Sequence, residues 1–543
     1  MEKLKAITSF YLIILFVTIM LSQSSNAQSS ENSKFGIFGA YTTEYTWFQS
    51  QMGFTDTDYW NWVDNHFQNL GTHWTRSNLQ LIWDLIEPNL DGVYNWNINT
   101  KPDSVITNVY DSPADVNWLG CINIPSSSVR NVLSYPTEWQ NFLEAVVERY
   151  NGDGVNDLNG FVNAKYWQIG NEIMGTQNSY TSAEYAQIVA LSVSAIHSID
   201  PTAKICLVAP TQASTPDTFL VNTIIELSKM GVNFDIIDIH SWGNYDFYKM
   251  NALPLYRTIL NNNGFINVEI WSCEHGTHCY QPDNTPYQTT TEQASGLLKR
   301  YIWNLNNGLD KLFWNNLIEW HGFSGLTGSI FNSMGLIGDG SYCEEPANEF
   351  NYIRKSYYSY KILAENIDTD KAIFIENNSF HNQLSGNYGY IYQDLNTTDN
   401  FEIFWTDNNS STYTITLTDD YEITNMVPSD TLGNFDTRIL SAGIHNLTIY
   451  KNEVYLLKKS LAEIENKNHS IFPNPTKDFF TIDNIKSFEN VIIYNSIGQV
   501  VYENKIYENN KVIDLSNQSI GIYFVYLQST NKESAVIELM KIN

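Results

Sequence analysis

Residues 166–172 read Tyr-Trp-Gln-Ile-Gly-Asn-Glu, an apolar run that ends abruptly on an amide and a carboxylate. The run has the character of a buried strand, and a buried carboxylate at its end must be paired or must change its pKa. A second run of this kind, Val-Glu-Ile-Trp-Ser-Cys-Glu, occupies residues 268–274. We therefore expect Glu172 and Glu274 to end two strands of one fold and to face each other.

Apolar runs of strand length alternate with helical patterns through the first two thirds of the chain. The eight candidate strands are Phe35–Ala40, His73–Arg76, Asn117–Ile124, Lys165–Glu172, Lys204–Ala209, Phe234–His240, Val268–Glu274 and Lys311–Asn315. Between them, Thr181 and Glu184 form a capping box and Gly231 closes a helix. This alternation predicts an α/β fold, a (β/α)8 TIM barrel over residues 34–363. A doubly wound open sheet is the alternative, although no Gly-rich phosphate loop follows the first strand.

Side chains that can act on a ligand gather at the predicted strand ends. Active sites of TIM barrels form at the carboxyl ends of the strands. The residues found there are Arg76, Asn171, Glu172, His240, Glu274 and Trp314. Their common position favours one site over six unrelated residues.

The composition excludes several classes of partner. The net charge is −29, which argues against nucleic acids and anionic membranes because both are bound through Lys and Arg. The chain also contains 34 Tyr, 27 Phe and 15 Trp, and flat aromatic faces suit stacking on sugar rings as well as core packing. This balance favours a neutral ligand.

Metal and disulfide signals are weak. No Cys or His cluster has zinc spacing, and residues 151–157 lack EF-hand spacing, so we expect a solvated turn there rather than a calcium site. Cys121, Cys206 and Cys273 lie in apolar runs and are predicted core residues. Cys279 and Cys343 lie in loop-like segments, where a disulfide is open. We expect neither a metal nor an organic cofactor.

The two ends of the chain carry export signals. Lys3 and Lys5 precede an apolar run and then Ser25-Asn26-Ala27, which predicts a signal peptide over residues 1–27. No other stretch of spanning length follows, so we expect no membrane span after cleavage. Short alternating strands predict an antiparallel β-sandwich over residues 364–459, followed by a linker over 460–470.

Residues 471–543 form a further small all-β segment. It opens with Phe472-Pro473-Asn474-Pro475-Thr476, continues through Ile497-Gly498-Gln499-Val500 and Gly521-Ile522-Tyr523, and ends near Lys541. The segment resembles the type A C-terminal sorting domain of the type IX secretion system. This resemblance implies export across the outer membrane of a Gram-negative bacterium, to the surface or the medium, with the secretion machinery as a partner. A carbohydrate-binding module is the alternative.

Two carboxyl groups facing each other suit glycoside hydrolysis, in which one donates a proton and the other attacks the anomeric carbon or activates water. The stretch 167–172 is similar to the fourth-strand motif of clan A glycoside hydrolases, and 269–276 to their seventh-strand motif. Threonine more usually precedes the second glutamate, so Cys273 is a departure, and we expect it to change the packing behind that glutamate.

The resemblance to clan A implies a role for each site residue. Glu172 is the expected acid/base and Glu274 the expected nucleophile. Asn171 is expected to bind the sugar 2-hydroxyl, Arg76 to keep Glu274 ionised, and His240 to hydrogen-bond near the nucleophile or the sugar. Trp314 is the expected stacking floor, and the possible outer platforms are Trp242 and Trp320.

The sequence therefore predicts a secreted, monomeric, retaining β-glycoside hydrolase, endo-acting on a polysaccharide of the β-glucan, xylan, mannan or galactan class. A catalytically silent glycan-binding surface protein is one alternative, and an inverting hydrolase on the same barrel is the other. The distance between the two carboxyl groups separates retention from inversion.

Overall fold

The fold comes from a computed structural model. It describes residues 30–43, 45–159, 161–173, 180–209, 215–280, 286–319, 330–339, 351–460, 471–483, 485, 488–496, 498–506, 510–528 and 534–542. The predicted signal peptide, Trp320, Cys343 and most of the predicted linker lie outside these residues. The described chain divides into two compact units, and the larger contains the barrel.

Parallel strands form a closed barrel. The strands are β1 Phe35–Phe38, β2 Trp74–Ile82, β3 Asn117–Asn123, β4 Tyr166–Ile169, β5 Lys204–Ala209, β6 Ile236–Ile239, β7 Ser241–Trp242, β8 Glu269–Gly276 and β9 Lys311–Asn315. They lie in the order β6-β5-β4-β3-β2-β1-β9-β8-β7, and pairing of β6 with β8 closes the ring. The short β7 continues β6 after His240, so the ring has eight members, and the predicted TIM barrel is confirmed.

Helices follow most of the barrel strands. They are α1 Thr46–Met52, α2 Asp56–Leu70, α3 Trp83–Ile86, α4 Pro102–Tyr110, α5 Pro136–Tyr150, α6 Ser182–Ile199, α7 Thr218–Met230, α8 Leu253–Asn262, α9 Thr290–Asn306 and α10 Lys355–Ile367. The predicted capping box of Thr181 and Glu184 starts α6, and Gly231 ends α7 with a φ of +69°. Local sequence therefore sets these helix ends.

Large aromatic side chains fill the barrel below the site. Trp74 and Trp271 meet edge to face at 5.0 Å between ring centroids, with Phe313 and Tyr166 packed beside them. Cys206 and Cys273 belong to the same buried cluster, as predicted for core cysteines. This packed layer leaves the carboxyl ends of the strands as the open end for polar groups.

Antiparallel sheets follow the barrel in the chain. One contains β12 Ala372–Asn377, β13 Asn387–Asp394, β14 Asn400–Thr406, β16 Tyr421–Asn425, β17 Thr437–Leu440 and β19 Val454–Lys459, and the other pairs β15 Ser410–Leu417 with β18 Gly443–Tyr450. Between barrel and sandwich lie β10 Ile337–Gly338 and β11 Tyr352–Ile353. The predicted antiparallel architecture is confirmed.

The C-terminal segment has its own core. Its strands are β20 Ile471–Phe472, β21 Phe479–Ile482, β22 Asn490–Asn495, β23 Val500–Lys505, β24 Lys511–Asp514, β25 Gly521–Gln528 and β26 Ser534–Lys541. They form a three-stranded and a four-stranded sheet. Phe480, Val491, Val525 and Leu539 pack into a buried cluster between them. Within the described residues, no helix is both long and apolar enough to cross a membrane.

Candidate active site

The chain turns sharply where β4 ends. Gly170 has a φ of +81°, and a Cβ added there would lie 2.0 Å from Cδ1 of Ile173. Glu172 also has a positive φ, +43°, which is uncommon for a residue with a side chain. Strained backbone of this kind concentrates at functional sites. The turn leaves the Glu172 side chain 34% exposed above the barrel.

Glu274 lies near the end of β8 and is almost fully buried. Arg76, from β2, donates from Nη1 to its Oε1 at 2.5 Å. The same guanidinium donates from Nε to Oε1 of Gln168 at 2.7 Å and from Nη2 to Oδ1 of Asn171 at 2.6 Å. Arg76 thus ties the fourth strand of the barrel to the seventh.

The charge on Arg76 is secured by its neighbours. Burial alone would disfavour the cation, but the Glu274 carboxylate raises the Arg76 pKa above its usual range. The guanidinium also lies 5.2 Å from the centre of the Phe38 ring. Arg76 therefore remains a cation at every working pH.

His240 stands between the two glutamates. Its Nδ1 is 2.7 Å from Oε1 of Glu172 and 3.7 Å from Oε2 of Glu274. Burial lowers its pKa, but the carboxylates of Glu274 and Asp238 and the hydrogen bond to Glu172 outweigh burial and raise that pKa to about 10. The imidazole is therefore a doubly protonated cation that donates from Nδ1 to Glu172 and attracts the Glu274 carboxylate by its charge.

Asp238, on β6, belongs to the candidate site, and the sequence analysis missed it. Its Oδ2 lies 3.0 Å from Nε2 of His240, and its Oδ1 accepts the backbone N–H of Cys273 at 2.7 Å. The carboxylate is fully buried, and its pKa is nevertheless lowered, because His240 and Arg76 outweigh the burial. The sequence does contain a signal for Asp238. In the run Ile-Ile-Asp-Ile-His, side chains alternate between the two faces of the strand, so Asp238 and His240 share one face.

The two glutamates have opposite pKa directions. Burial raises the pKa of Glu274, against the opposing charges of His240 and Arg76. Burial also acts on Glu172, but its hydrogen bond to His240 and the His240 charge are stronger, so the Glu172 pKa is lowered. The His240 cation between the two carboxyl groups therefore influences which of them holds a proton.

One ligand atom from each of Glu172, His240 and Glu274 can be chosen so that all three atoms lie within 4.8 Å of one another. Among the described residues, these three side chains are the group that could hold a metal ion. A cation would first have to displace the proton from Nδ1 of His240, since only the unprotonated nitrogen binds metals.

The predicted aromatic platforms do not all reach the site. The Trp242 ring lies 5.6 Å from that of His240 and packs edge to face on Phe331, so it borders the site. Trp314 does not: it is fully buried in the core, and its Nε1 donates to the Met334 carbonyl at 2.9 Å. Its strand neighbour Phe313 occupies the barrel interior, so alternation turns Trp314 outward toward the helices. The expectation that Trp314 is the stacking floor was wrong.

The acidic turn before β4 is held by its own backbone. The Asp157 carboxylate accepts the N–H groups of Gly152 and Gly154 at 2.9 and 2.6 Å, and Asp153 accepts that of Val155 at 2.8 Å. These hydrogen bonds give Asp153 and Asp157 a role in shaping the turn.

Fold and site together define a class: a parallel (β/α)8 barrel with two glutamates at the ends of its fourth and seventh strands, with His240 between them and Arg76 bound to the second. Solved structures of the same fold include a glucosidase from Croceicoccus marinus, at 12% identity and a TM-score of 0.55 over 78% of this chain and 96% of that one. An α-L-arabinofuranosidase from Thermotoga maritima matches at 11% identity with a TM-score of 0.51, over 78% of this chain and 96% of that one. A GH39 β-xylosidase from Caulobacter crescentus matches at 12% identity with a TM-score of 0.51, over 79% of this chain and 96% of that one.

This chain shares its barrel fold with those three enzymes. Residues 470–541 match the secretion system C-terminal sorting domain, which confirms the prediction for this segment and indicates type IX export to the cell surface or the medium. β-Agarase A of Zobellia galactanivorans is 42% identical over 64 residues, and the match covers 11% of this chain and 12% of the agarase. That shared stretch is C-terminal.

Proposed function

We propose that this chain is an exported retaining β-glycoside hydrolase whose reaction centre is Glu172, His240 and Glu274. One observation carries the proposal: a ligand oxygen from each glutamate lies within 4.8 Å of the other, on either side of a cationic histidine. Retaining enzymes separate their two carboxyl groups by about 5–5.5 Å, and inverting enzymes by about 6.5–9.5 Å. The short separation supports retention over inversion.

In the proposed reaction, a carboxylate oxygen of Glu274 forms a bond to the anomeric carbon while the glycosidic C–O bond breaks. The Glu172 carboxyl gives its proton to the departing oxygen. Glu172 then takes a proton from water, the water oxygen attacks the anomeric carbon, and the Glu274 ester is released with net retention. Neither step requires a metal or an organic cofactor.

Arg76 and His240 have distinct parts in this proposal. Both place positive charge beside Glu274, which favours the ionised nucleophile against the effect of burial. Asn171, held through Oδ1 by Arg76, keeps its amide N–H groups for the sugar 2-hydroxyl. Trp242 supplies the apolar face beside His240 on which a sugar ring can stack.

The proposed catalytic unit spans residues 34–363, with the sandwich over 364–459 and the sorting domain after the linker at 460–470. The substrate we propose is a neutral polysaccharide of the β-glucan, xylan, mannan or galactan class, cut internally by a monomer. The likeness to β-agarase A lies at the C-terminus and so carries no substrate to the barrel.

A panel of these polysaccharides, scored by released reducing ends and by NMR of the first anomer formed, tests the proposal. We expect release with retained configuration, abolished in Glu274→Gln. Glu269→Gln is the matched control, since Glu269 begins the same strand and is exposed. Equal release by the wild type and Glu274→Gln from every substrate would sink the assignment, and an inverted first anomer would favour the inverting alternative.

A further inference from the structure

A polar groove of about 530 Å³ lies between the barrel and the sandwich, and none of its lining residues belongs to the candidate active site. The barrel contributes Tyr245, the start of α9 at Glu292 and the start of α10 at Lys355. The sandwich contributes the turn between β18 and β19, residues 450–453. All of these residues belong to the larger of the two compact units.

The sandwich wall of the groove is held firmly. Lys299, buried in α9, donates from Nζ to the Lys451 carbonyl at 2.7 Å. Glu453 accepts the backbone N–H of Tyr450 and the hydroxyl of Tyr455, each at 3.0 Å. Because these bonds fix the turn before any ligand arrives, little ordering is needed on binding.

Two features of this wall suit a sugar. Tyr450 is 54% exposed and lines both this groove and a neighbouring one of about 420 Å³, so the residue borders two spaces that a ligand could enter. Asn452 has a buried Oδ1 with no hydrogen-bond partner among the described residues. An exposed aromatic face suits a ligand with apolar ring faces, and turning the Asn452 side chain toward the groove would give its unsatisfied amide oxygen a hydroxyl donor.

The charges of the groove balance. Its lining contains two lysines, Lys355 and Lys451, and two glutamates, Glu292 and Glu453. The Lys451 ammonium already pairs with Asp246 at 3.2 Å, so no excess positive charge remains to attract an anion. A neutral ligand is therefore favoured over a sulfated or carboxylated one.

The groove lies at the active end of the barrel. In this fold the helices that follow β8 and β9 begin on the side where the strands end. Glu292 and Lys355 lie in the first turns of two such helices, α9 and α10, while Glu274 lies near the end of β8. A long chain molecule held in the groove would thus lie on the face that carries the two glutamates.

We propose that this groove, with Tyr450 as its stacking platform, is a second binding site for a neutral oligosaccharide segment of the polymer that the enzyme cleaves. The ligand class rests on the proposed function. The site would hold the polymer while the barrel cuts it, and would not touch the reacting bond.

Binding of the full chain to insoluble β-glucan, xylan, mannan and galactan tests the proposal, with turnover blocked by Glu274→Gln. We expect Tyr450→Ala to raise the apparent Kd for the cleaved polymer about tenfold, equivalent to about 1.4 kcal/mol and comparable to one aromatic contact. Tyr450→Phe keeps the ring and should bind normally. Phe161→Ala, a control at a 50% exposed aromatic residue before β4, should also bind normally.

A second readout uses the active enzyme on a short soluble oligosaccharide. Tyr450→Ala should leave its kcat/KM unchanged, and Asn452→Ala repeats the test if Tyr450→Ala does not fold. Unchanged polymer binding, or an equal loss on the short substrate, would overturn the second site while glycosidase activity stands. If the wild type cleaves no polymer but Tyr450→Ala still weakens binding, the proposed function fails and the groove is retained.

Discussion

Replacing Asp238 by Asn tests how the site keeps His240 charged. Asp238 now accepts from Cys273 N–H through one oxygen and from His240 Nε2 through the other. In Asp238→Asn the remaining oxygen can serve the backbone N–H, which turns the amide N–H groups toward Nε2. Nε2 can then no longer donate its proton, so the neutral imidazole becomes favoured.

The size of the effect follows from the His240 pKa, about 10 in place of the ordinary 6.5. That difference favours the imidazolium by on the order of 5 kcal/mol. A hydrogen bond between charged partners contributes about 1.5–3 kcal/mol, so losing the one to Asp238 should lower the pKa to about 8–9.

The effect on stability has a definite sign. A histidine whose pKa is raised by folding stabilises the protein fully below its unfolded pKa of 6.5, and this stabilisation disappears as the pH rises to about 10. In Asp238→Asn the decline should be smaller and should end at about pH 8–9. Urea denaturation across pH 6–10 measures both curves, and NMR titration of labelled histidines measures the pKa directly.

Asp235→Asn is the control, because Asp235 lies three residues earlier and pairs instead with Lys204 at 2.9 Å. It should leave the His240 pKa in place. A His240 resonance that still titrates near pH 10 in Asp238→Asn would refute the reasoning, since Asp238 would then not stabilise the imidazolium.

Glu172→Gln should lower kcat/KM on polysaccharides by about 10²–10⁴ but far less on aryl glycosides with acidic leaving groups, whereas Glu274→Gln should fail on both. Equal losses on the two substrate types would contradict the assigned roles. Arg76→Met leaves Glu274 buried without its hydrogen-bonded cation, and chemical denaturation should show a loss of about 3–5 kcal/mol. Gly170→Ala should lower the melting temperature more than Gly154→Ala, since both have positive φ but only Gly170 lacks space for a methyl group; equal shifts would contradict a packing cause.

Much of the barrel could be predicted because its strands are buried on both faces and read as continuous apolar runs. Because both faces of these strands are apolar, the sequence does not indicate which side chains point into the barrel. In β9 the run Lys-Leu-Phe-Trp-Asn gives no contrast between faces, so Trp314 was assigned to the site although Phe313 occupies the interior. Direction in such strands depends on the register and closure of the ring, which follow from contacts remote in sequence.

The site was predictable only where a polar residue interrupted an apolar run. Glu172 and Glu274 stand out in this way, and so does Arg76. Asp238 also interrupts an apolar run. Its charge is balanced by His240 two residues later, and this pairing can be recognised only when both residues are placed on the same face of one strand. The strained turn at Glu172 has no local signal except Gly170, where Ile173 leaves no space for a side chain.

The pKa shifts of Glu172 and Glu274 link the geometry of the site to the proposed reaction. Before substrate binds, His240 lowers the pKa of Glu172, and burial raises that of Glu274. The first step requires the reverse, because Glu172 must be protonated and Glu274 ionised. A sugar between the carboxyl groups would remove water from the partly exposed Glu172 and so raise its pKa, while Arg76 and His240 continue to act on Glu274. When Glu274 becomes a neutral ester, the repulsion between the two carboxylates ends and the Glu172 pKa falls again. The change from acid to base would then follow from the chemistry of Glu274 itself.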